Sequence, residues 1–425
     1  MNIFLGLDDT AGYYSRLESG LKSLGVSCSL VNAFPNPNYN FDHNLGFVEK
    51  MVSWIGKKTA TYKRNSLRRY GWIGIKCLAL IILFLWSLPR YDVYIFSGGT
   101  TFLGSYDLWL LKLLKKRVVV VYHGSDSRAP YLNPVIVGYN GDFDAKVYVL
   151  ETKVIKNKLK KIERYADLII NNPHASHLHE GKIINWFCIG APFFLPPLSE
   201  ENDTNCSSDD SCVIVHAPTR PGPKGSIQIE KAINALKKKG HNIEYVKLVE
   251  KPNSEVLENL SKCDFVVDEL FSDAIMAGFA AEAASFGKPA VVGMYEYEKI
   301  KNSIPVEMVP PVLSCSPDDV ESAIEKLIVD KKFRISLGKK AREFLENQWS
   351  PEAVAKRFLL LAKNEIPDNW WFDTKNINYL LGWGVTRERT KNLLRTIFQS
   401  YGTSALQLKH NPNLEKAFIH FAREN

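Results

Sequence analysis

The stretch Val213-Ile-Val-His-Ala-Pro-Thr-Arg-Pro-Gly-Pro-Lys-Gly-Ser226 decides how this chain folds. A β-branched apolar run stops at His216, a Pro/Gly-rich turn follows, and a pattern through Ile229, Ala232, Ile233 and Leu236 then repeats at helical spacing. Strand, loop and helix N-terminus in that order make an anion site, because backbone N–H groups and the positive end of the helix dipole point out of the loop. Arg220 and Lys224 add two cations beside it, which suits a diphosphate. A second stretch, Gly278-Phe-Ala-Ala-Glu-Ala-Ala-Ser-Phe-Gly-Lys-Pro-Ala-Val-Val292, reads as an Ala-rich helix from about Met276 to Phe286, closed by Gly287 and feeding a buried strand. Its one acid, Glu282, is placed to accept hydrogen bonds from both hydroxyls of a ribose. Each element alone is common in α/β domains, and the order of anion loop then carboxylate within one βαβ unit is what makes the pair specific.

The same alternation extends outward. Between the two stretches come a strand at Tyr245–Val249, a helix at Ser254–Ser261 and a strand at Phe265–Val267; after them Asp318–Val329 and Lys331–Asn347 read as helices. Trp349-Ser350-Pro351 opens another helix, with Ser at the N-cap and Pro at N1. Upstream, Phe194-Leu-Pro-Pro-Leu198 and the acidic, Asn/Ser-rich run that follows form a linker. The resulting division is a first domain at 1–198, a linker at 199–212, a second domain at 213–349, and a crossing helix with a helical tail at 350–425.

The first domain opens as βαβ. Asn2–Leu7 is a strand, Gly12 sits at the turn into a helix carrying Leu17, Leu21 and Leu24, and Ser27–Val31 is the next strand. Gly12 lets a ligand approach the backbone, or is only a turn glycine; no G-x-G-x-x-G fingerprint stands there. Strand Val118–Tyr122 runs into His123-Gly-Ser-Asp-Ser-Arg128, polar groups at the carboxyl end of a buried strand, where open α/β sheets bind ligands. A turn held by its own hydrogen bonds is the alternative. His174, His177 and His179 lack acids at ligand spacing, so no metal is expected.

With 425 residues, 45% hydrophobic and 12% aromatic, the chain can pack two cores. Seven scattered cysteines without a C-x-x-C pair give no disulfide framework or zinc site. The N-terminus lacks the basic and apolar regions of a signal peptide, which points to the cytoplasm. The net charge of +8 is concentrated in the first half: Lys57, Lys58, Lys63, Arg64, Arg68 and Arg69, then Lys112 to Arg117, then Lys153 to Arg164. Beside the first cluster lies the apolar run Trp72–Leu88, within a possible membrane-associating helix at 60–88. It is short of the roughly 20 apolar residues a spanning helix needs. Spanning would also strand Val93–Phe96 across the membrane from Ser27–Val31. That leaves a helix buried on the sheet, or an interfacial helix with its basic neighbours on anionic lipid.

His216-Ala-Pro-Thr…Lys224-Gly225 and Glu282-Ala283…Gly287-Lys288-Pro289 resemble the nucleotide-binding half of a retaining GT-B glycosyltransferase of family 4 type. The resemblance implies two Rossmann-like parallel-sheet domains facing across a cleft, with a C-terminal crossing helix. It implies donor contacts from Arg220, Lys224, Gly225, Glu282 and Gly12, His123 beside the donor sugar, and Asp126 or Arg128 shaping the cleft. Two departures stand out. Ala274 lies where the family has a sugar-side acid, leaving Asp273 and Asp268 as candidates, and Arg220 and Lys224 are one residue closer than usual. No cofactor is expected beyond a UDP- or GDP-linked sugar substrate. The expected partners are a glycan or lipid-linked acceptor and an anionic membrane surface, not nucleic acid. The expected role is cell-surface polysaccharide biosynthesis by a cytoplasmic enzyme peripheral to the inner face of the membrane. A nucleotide-sugar epimerase and a non-catalytic binding subunit are the alternatives.

Overall fold

The computed structural model describes residues 1–34, 46–62, 66–133, 144–197 and 211–424. The linker expected at 199–212 falls almost wholly outside the described residues, as do Asn36–Asn44, Lys63 and Arg64. The first sheet contains β1 (Asn2–Leu7), β2 (Ser27–Asn32), β3 (Val93–Ser97), β4 (Arg117–Val121), β5 (Leu168–Asn171) and β6 (Lys182–Asn185). The second contains β7 (Cys212–His216), β8 (Ile243–Lys247), β9 (Phe265–Val267), β10 (Ala290–Gly293) and β11 (Leu313–Cys315). A last strand, β12 (Trp371–Asp373), returns from the tail and pairs antiparallel with β6.

Strand order is β12-β6-β5-β4-β3-β1-β2 in the first sheet and β11-β10-β9-β7-β8 in the second. All pairings except β12–β6 are parallel. The near-continuous apolar runs of β1 and β4 are covered on both faces, as parallel strands require. In each sheet the connections reverse direction beside the first strand, between β1 and β3 and between β7 and β9. Those switch points open crevices at the carboxyl ends of the strands. The chain thus has the GT-B architecture, two Rossmann-like domains facing across a cleft.

Helix Pro351–Lys363 carries the chain back to the first domain. Its N-cap Ser350 accepts from the Ala353 N–H, and Asn364 ends it in the left-handed region at φ 64°. It lies against helix Tyr13–Ser23, where a Cβ on Gly20 would stand 2.0 Å from the Pro351 carbonyl oxygen. Just before it Trp349 is fully buried, and its carbonyl accepts from Phe193 N at 2.8 Å. The tail continues into helices Arg387–Tyr401 and Pro412–Arg423, which pack on each other, the former also on helix Ala145–Tyr165. The tail, which the sequence leaves open between bracing the first domain, meeting the membrane and binding a partner, is thereby packed onto the first domain.

Among the described residues, Leu67–Ser87 is the one helix long and apolar enough to cross a membrane. However, β1 pairs with both β2 and β3, so this helix leaves and re-enters one sheet. It buries Ala79, Leu80, Leu83 and Phe84 and exposes the opposite stripe.

Gly20→Ala is expected to push the crossing helix off its seat and destabilise the protein by about 1–3 kcal/mol. Urea unfolding at neutral pH measures this; an unchanged midpoint would show that the contact yields without cost.

Candidate functional site

β7 ends at His216, whose ring is fully buried. Nδ1 lies 2.8 Å from the Val267 carbonyl, so it carries the proton, and Nε2 lies 2.8 Å from Ser226 Oγ, whose hydroxyl it accepts. The imidazole therefore ties β7 to β9 and to the first residue of helix Ser226–Lys238. Burial pushes it down to about 4. The loop between is knitted by Gly225 N to Gly222 O at 3.0 Å and Ser226 N to Pro221 O at 3.0 Å. Gly225 has φ 76°, and a Cβ there would stand 2.8 Å from Leu270 Cβ, so both backbone and space demand glycine.

Lys224 points inward, with Nζ 3.0 Å from Asp268 Oδ1 and 3.5 Å from Glu269 Oε2. Burial alone lowers an ammonium, but these two carboxylates outweigh it and hold Lys224 above the ordinary lysine range. Arg220 lies exposed on the turn. Asp268 also accepts from Ala280 N at 3.3 Å, at the start of helix Gly278–Ser285. Glu269 accepts from Ser272 Oγ and from Trp383 Nε1, both at 2.8 Å. The indole belongs to the tail, whose Gly384 N also donates to Phe271 O at 2.7 Å.

Asp273 is buried and receives Arg128 Nε at 2.7 Å and a terminal guanidinium nitrogen at 2.5 Å. Asn172 Nδ2 donates to its carbonyl at 2.9 Å. Two residues of the first domain thus hold Asp273 of the second, Arg128 on its carboxylate and Asn172 on its backbone carbonyl. His123 and Asp126 form a separate group. Asp126 accepts from the backbone N–H groups of His123 at 3.1 Å and Gly124 at 2.9 Å, so the turn is held by its own hydrogen bonds. His123 Nε2 lies 3.2 Å from Tyr14 Oη, and its ring meets Tyr13 edge-on at 4.9 Å. Burial lowers its pKa, with Asp126 and Asp9 opposing.

A cavity of about 1120 Å³ lies between the domains. The second domain lines it with Ala217–Thr219, Lys224, Leu248, Glu250–Ser254 and Glu282, and the first with Ala11, Arg16 and Phe193. Glu282 accepts from Asn253 Nδ2 at 3.0 Å; burial pushes its carboxyl up, while Asn253 and then Arg16 oppose. Lys224 and Glu282 therefore share one cavity, with Gly225 in the loop behind Lys224. Gly12, at φ 76°, sets the turn that carries Ala11 and Arg16 to its rim. His123, Asp126 and Asp273 do not line it. Sequence reasoning missed Arg16, whose guanidinium carbon sits 4.7 Å over the Phe193 ring, and Asn253. The signal for Arg16 was its place four residues after Gly12, in the first helical turn.

No protein-family description and no curated protein matches the chain. Among solved structures it is similar to Anabaena HepE in complex with UDP and glucose, 12% identical over 85% of this chain and 98% of that one, TM-score 0.43. It is similar also to an alpha-glucosyltransferase in complex with UDP and a 13-mer DNA, at 16% over 85% and 98%, TM-score 0.43. The spinosyn forosaminyltransferase SpnP is 13% identical over 85% and 98%, TM-score 0.40.

Buried histidines set an acid limit on stability. His216 and His177 are pushed down to about 4 and His174 to about 3. Each is neutral when folded, while the unfolded chain takes up a proton below its ordinary value of about 6.5. Stability is therefore flat above that pH and falls as pH drops towards 4, by up to about 1.4 kcal/mol per pH unit for each group. Urea midpoints between pH 7 and 4 should show this slope, shallower in His216→Asn. Arg128→Met should destabilise by about 3–5 kcal/mol by leaving Asp273 buried and unpaired, and Arg128→Met with Asp273→Leu should recover most of it. Additive losses in that double-mutant cycle would mean the pair is not coupled.

Proposed function

We propose that this protein is a glycosyltransferase that moves a sugar from a UDP- or GDP-linked donor to a glycan or lipid-linked acceptor. The observation that carries the reading is the meeting of Lys224, the helix start behind it and Glu282 at one interdomain cavity, with Arg16 reaching in from the opposite domain. The reaction needs negative charge developing on the leaving diphosphate to be neutralised. Lys224, Arg16 and the exposed Arg220, with the N-terminus of helix Ser226–Lys238, supply that from fixed positions. Glu282 takes the ribose hydroxyls, its Oε1 steadied by Asn253.

Lys224 starts in the grip of two acids. Its contact with Glu269 is the longer at 3.5 Å, so a phosphate oxygen replaces that contact first and leaves Asp268 in place. His123 lies at the carboxyl end of β4 and we assign it to the sugar and acceptor side, held in place by Asp126 through its backbone. Asp273 acts through Arg128 and sets the closure of the cleft. Retention would then proceed without a carboxylate at Ala274. We place the activity in cell-surface polysaccharide assembly, on the cytoplasmic side of the membrane.

A non-catalytic binding role is the competing reading, favoured by the neutralisation of Lys224 and the commitment of Asp273 to Arg128. Thermal stabilisation by UDP, GDP, ADP, CMP and NAD, followed by release of nucleoside diphosphate from matching sugar donors, separates the two. The expected result is stabilisation by UDP or GDP alone, with affinity about tenfold or more weaker in Glu282→Ala and in Arg16→Ala. Release of diphosphate from the matching donor, accelerated by acceptor, would establish transfer. Nucleotide binding without turnover would leave only the binding role, and conversion of donor to an isomeric sugar without acceptor would make it an epimerase.

A further inference from the structure

We propose that one whole face of the first domain lies flat on an anionic lipid bilayer, and that this surface is built from four helices rather than from Leu67–Ser87 alone. The connections β2 to β3, β3 to β4 and β4 to β5 all cross the sheet in one direction. Right-handed crossovers then put helices Phe47–Thr61, Leu67–Ser87, Leu108–Leu113 and Ala145–Tyr165 on the same side. The connection from β1 to β2 runs the other way, and its helix Tyr13–Ser23 lies on the opposite side against the crossing helix.

That face exposes apolar side chains in number. On Leu67–Ser87 the outward stripe is Ile75, Leu78, Ile82 and Leu85, at helical spacing, with Leu78 60% and Leu85 59% exposed. Trp54 on the helix before it and Trp109 and Leu113 on the helix after it are also more than half exposed. Leu150 and Val154 on Ala145–Tyr165 continue the patch. The last two helices are locked side by side, since Lys112 Nζ donates to Arg164 O at 3.0 Å and Lys161 Nζ caps the Tyr106 ring. An apolar surface of this extent on one side of a domain marks an interaction site.

Charge selects the occupant. Lys57, Lys58 and Arg68 stand exposed at one end, Lys112 and Lys115 at the other, and Lys153 on the fourth helix, where Lys160 is instead paired with Glu180 at 3.1 Å. Helices Leu67–Ser87 and Leu108–Leu113 contain no acid, and Glu49 is buried, accepting from Tyr91 Oη at 3.0 Å. On the fourth helix Glu163 is engaged by His179, which leaves Glu151 half-buried among lysines. Nucleic acid would satisfy the cations and leave the Leu and Ile stripe in water. A second copy would cover the stripe but bring lysine to lysine. Anionic lipid satisfies both, with aromatic rings at headgroup depth, apolar side chains below them and lysines on the phosphates. This deepens the proposed function by naming the surface from which a membrane-anchored acceptor would reach the cleft. The bilayer contact needs no donor and is tested apart from transfer.

Co-sedimentation of the full chain with phosphatidylcholine vesicles containing about 30 mol% phosphatidylglycerol tests it, beside pure phosphatidylcholine vesicles, without nucleotide. The expected result is binding to the mixed vesicles at about 0.1 M salt, at least about tenfold weaker to the neutral ones. Leu78→Glu with Ile82→Glu, and separately Lys112→Glu with Lys115→Glu, should each weaken it about tenfold or more, with melting temperature and nucleotide response unchanged. Loss with the first pair only would overturn the four-helix surface. Equal binding to both vesicle types, binding to neither, or a vesicle-free dimer dispersed by the first pair would overturn the anionic bilayer as occupant.

Discussion

The cleft exists because the two sheets are fastened together on both sides of it. On one side the crossing helix sits on Tyr13–Ser23 so closely that Gly20 has no room for a side chain. On the other, Arg128 at the end of the β4 turn holds Asp273 from the loop after β9, with both side chains almost fully withdrawn from water. A buried pair of this kind adds little net stability over apolar residues of equal size, but it is costly to break and demands one geometry. Its contribution is registration: it fixes how far the Lys224 loop stands from Arg16 and Phe193, and hence the width of the cavity. Neither fastening alone would fix that width.

Inside the cleft the arrangement is one of balanced charge. Lys224 meets Asp268 and Glu269, Arg128 meets Asp273, and Arg16 bears on Glu282. Such balance leaves none of these three cations without a carboxylate, and under the proposed function a diphosphate would compete with carboxylates for the lysine. The competition is unequal. Asp268 is also fixed by the Ala280 N–H, whereas Glu269 divides its oxygens among Ser272, Trp383 and the lysine. Every donor to Glu269 other than Lys224 makes its detachment from the lysine less costly, because the carboxylate is not left unpaired.

The local parts of this design were legible in the sequence. The apolar run ending at His216, the Pro/Gly turn and the helical repeat after it place the anion loop, and the Ala-rich helix places Glu282, because each rests on periodicity within a few residues. What failed to show lay beyond that range. Ala145–Tyr165 looked like a basic cluster because its lysines mask the apolar face carrying Tyr148, Leu159 and Ile162. The three-residue β12 has too few positions to display alternation, and its place is set by β6. Arg128 and Asp273 are 145 residues apart, so no spacing rule pairs them, and the count back from Glu282 to Ala274 could not reveal which nearby acid was already engaged.

The tail shows how a segment without a motif enters the chemistry of the site. Tyr379 lies buried with its carbonyl 2.7 Å from His177 Nε2, and a Cβ on Gly382 would stand 1.9 Å from the Leu132 carbonyl oxygen. Those contacts seat the tail on the first domain. The next two residues, Trp383 and Gly384, reach across to Glu269 and Phe271 of the second. The tail is therefore a third fastening, and the only one of the three whose hydrogen bonds end on a carboxylate that touches Lys224. Its indole N–H and the lysine share one oxygen of that acid, Glu269 Oε2, so the docking of the tail and the neutralisation of Lys224 are coupled. Helix Arg387–Tyr401 of the tail packs against Ala145–Tyr165, the fourth helix of the proposed lipid-facing side. The chain thus has a continuous packed path from that face, through the tail, to the lysine in the cleft.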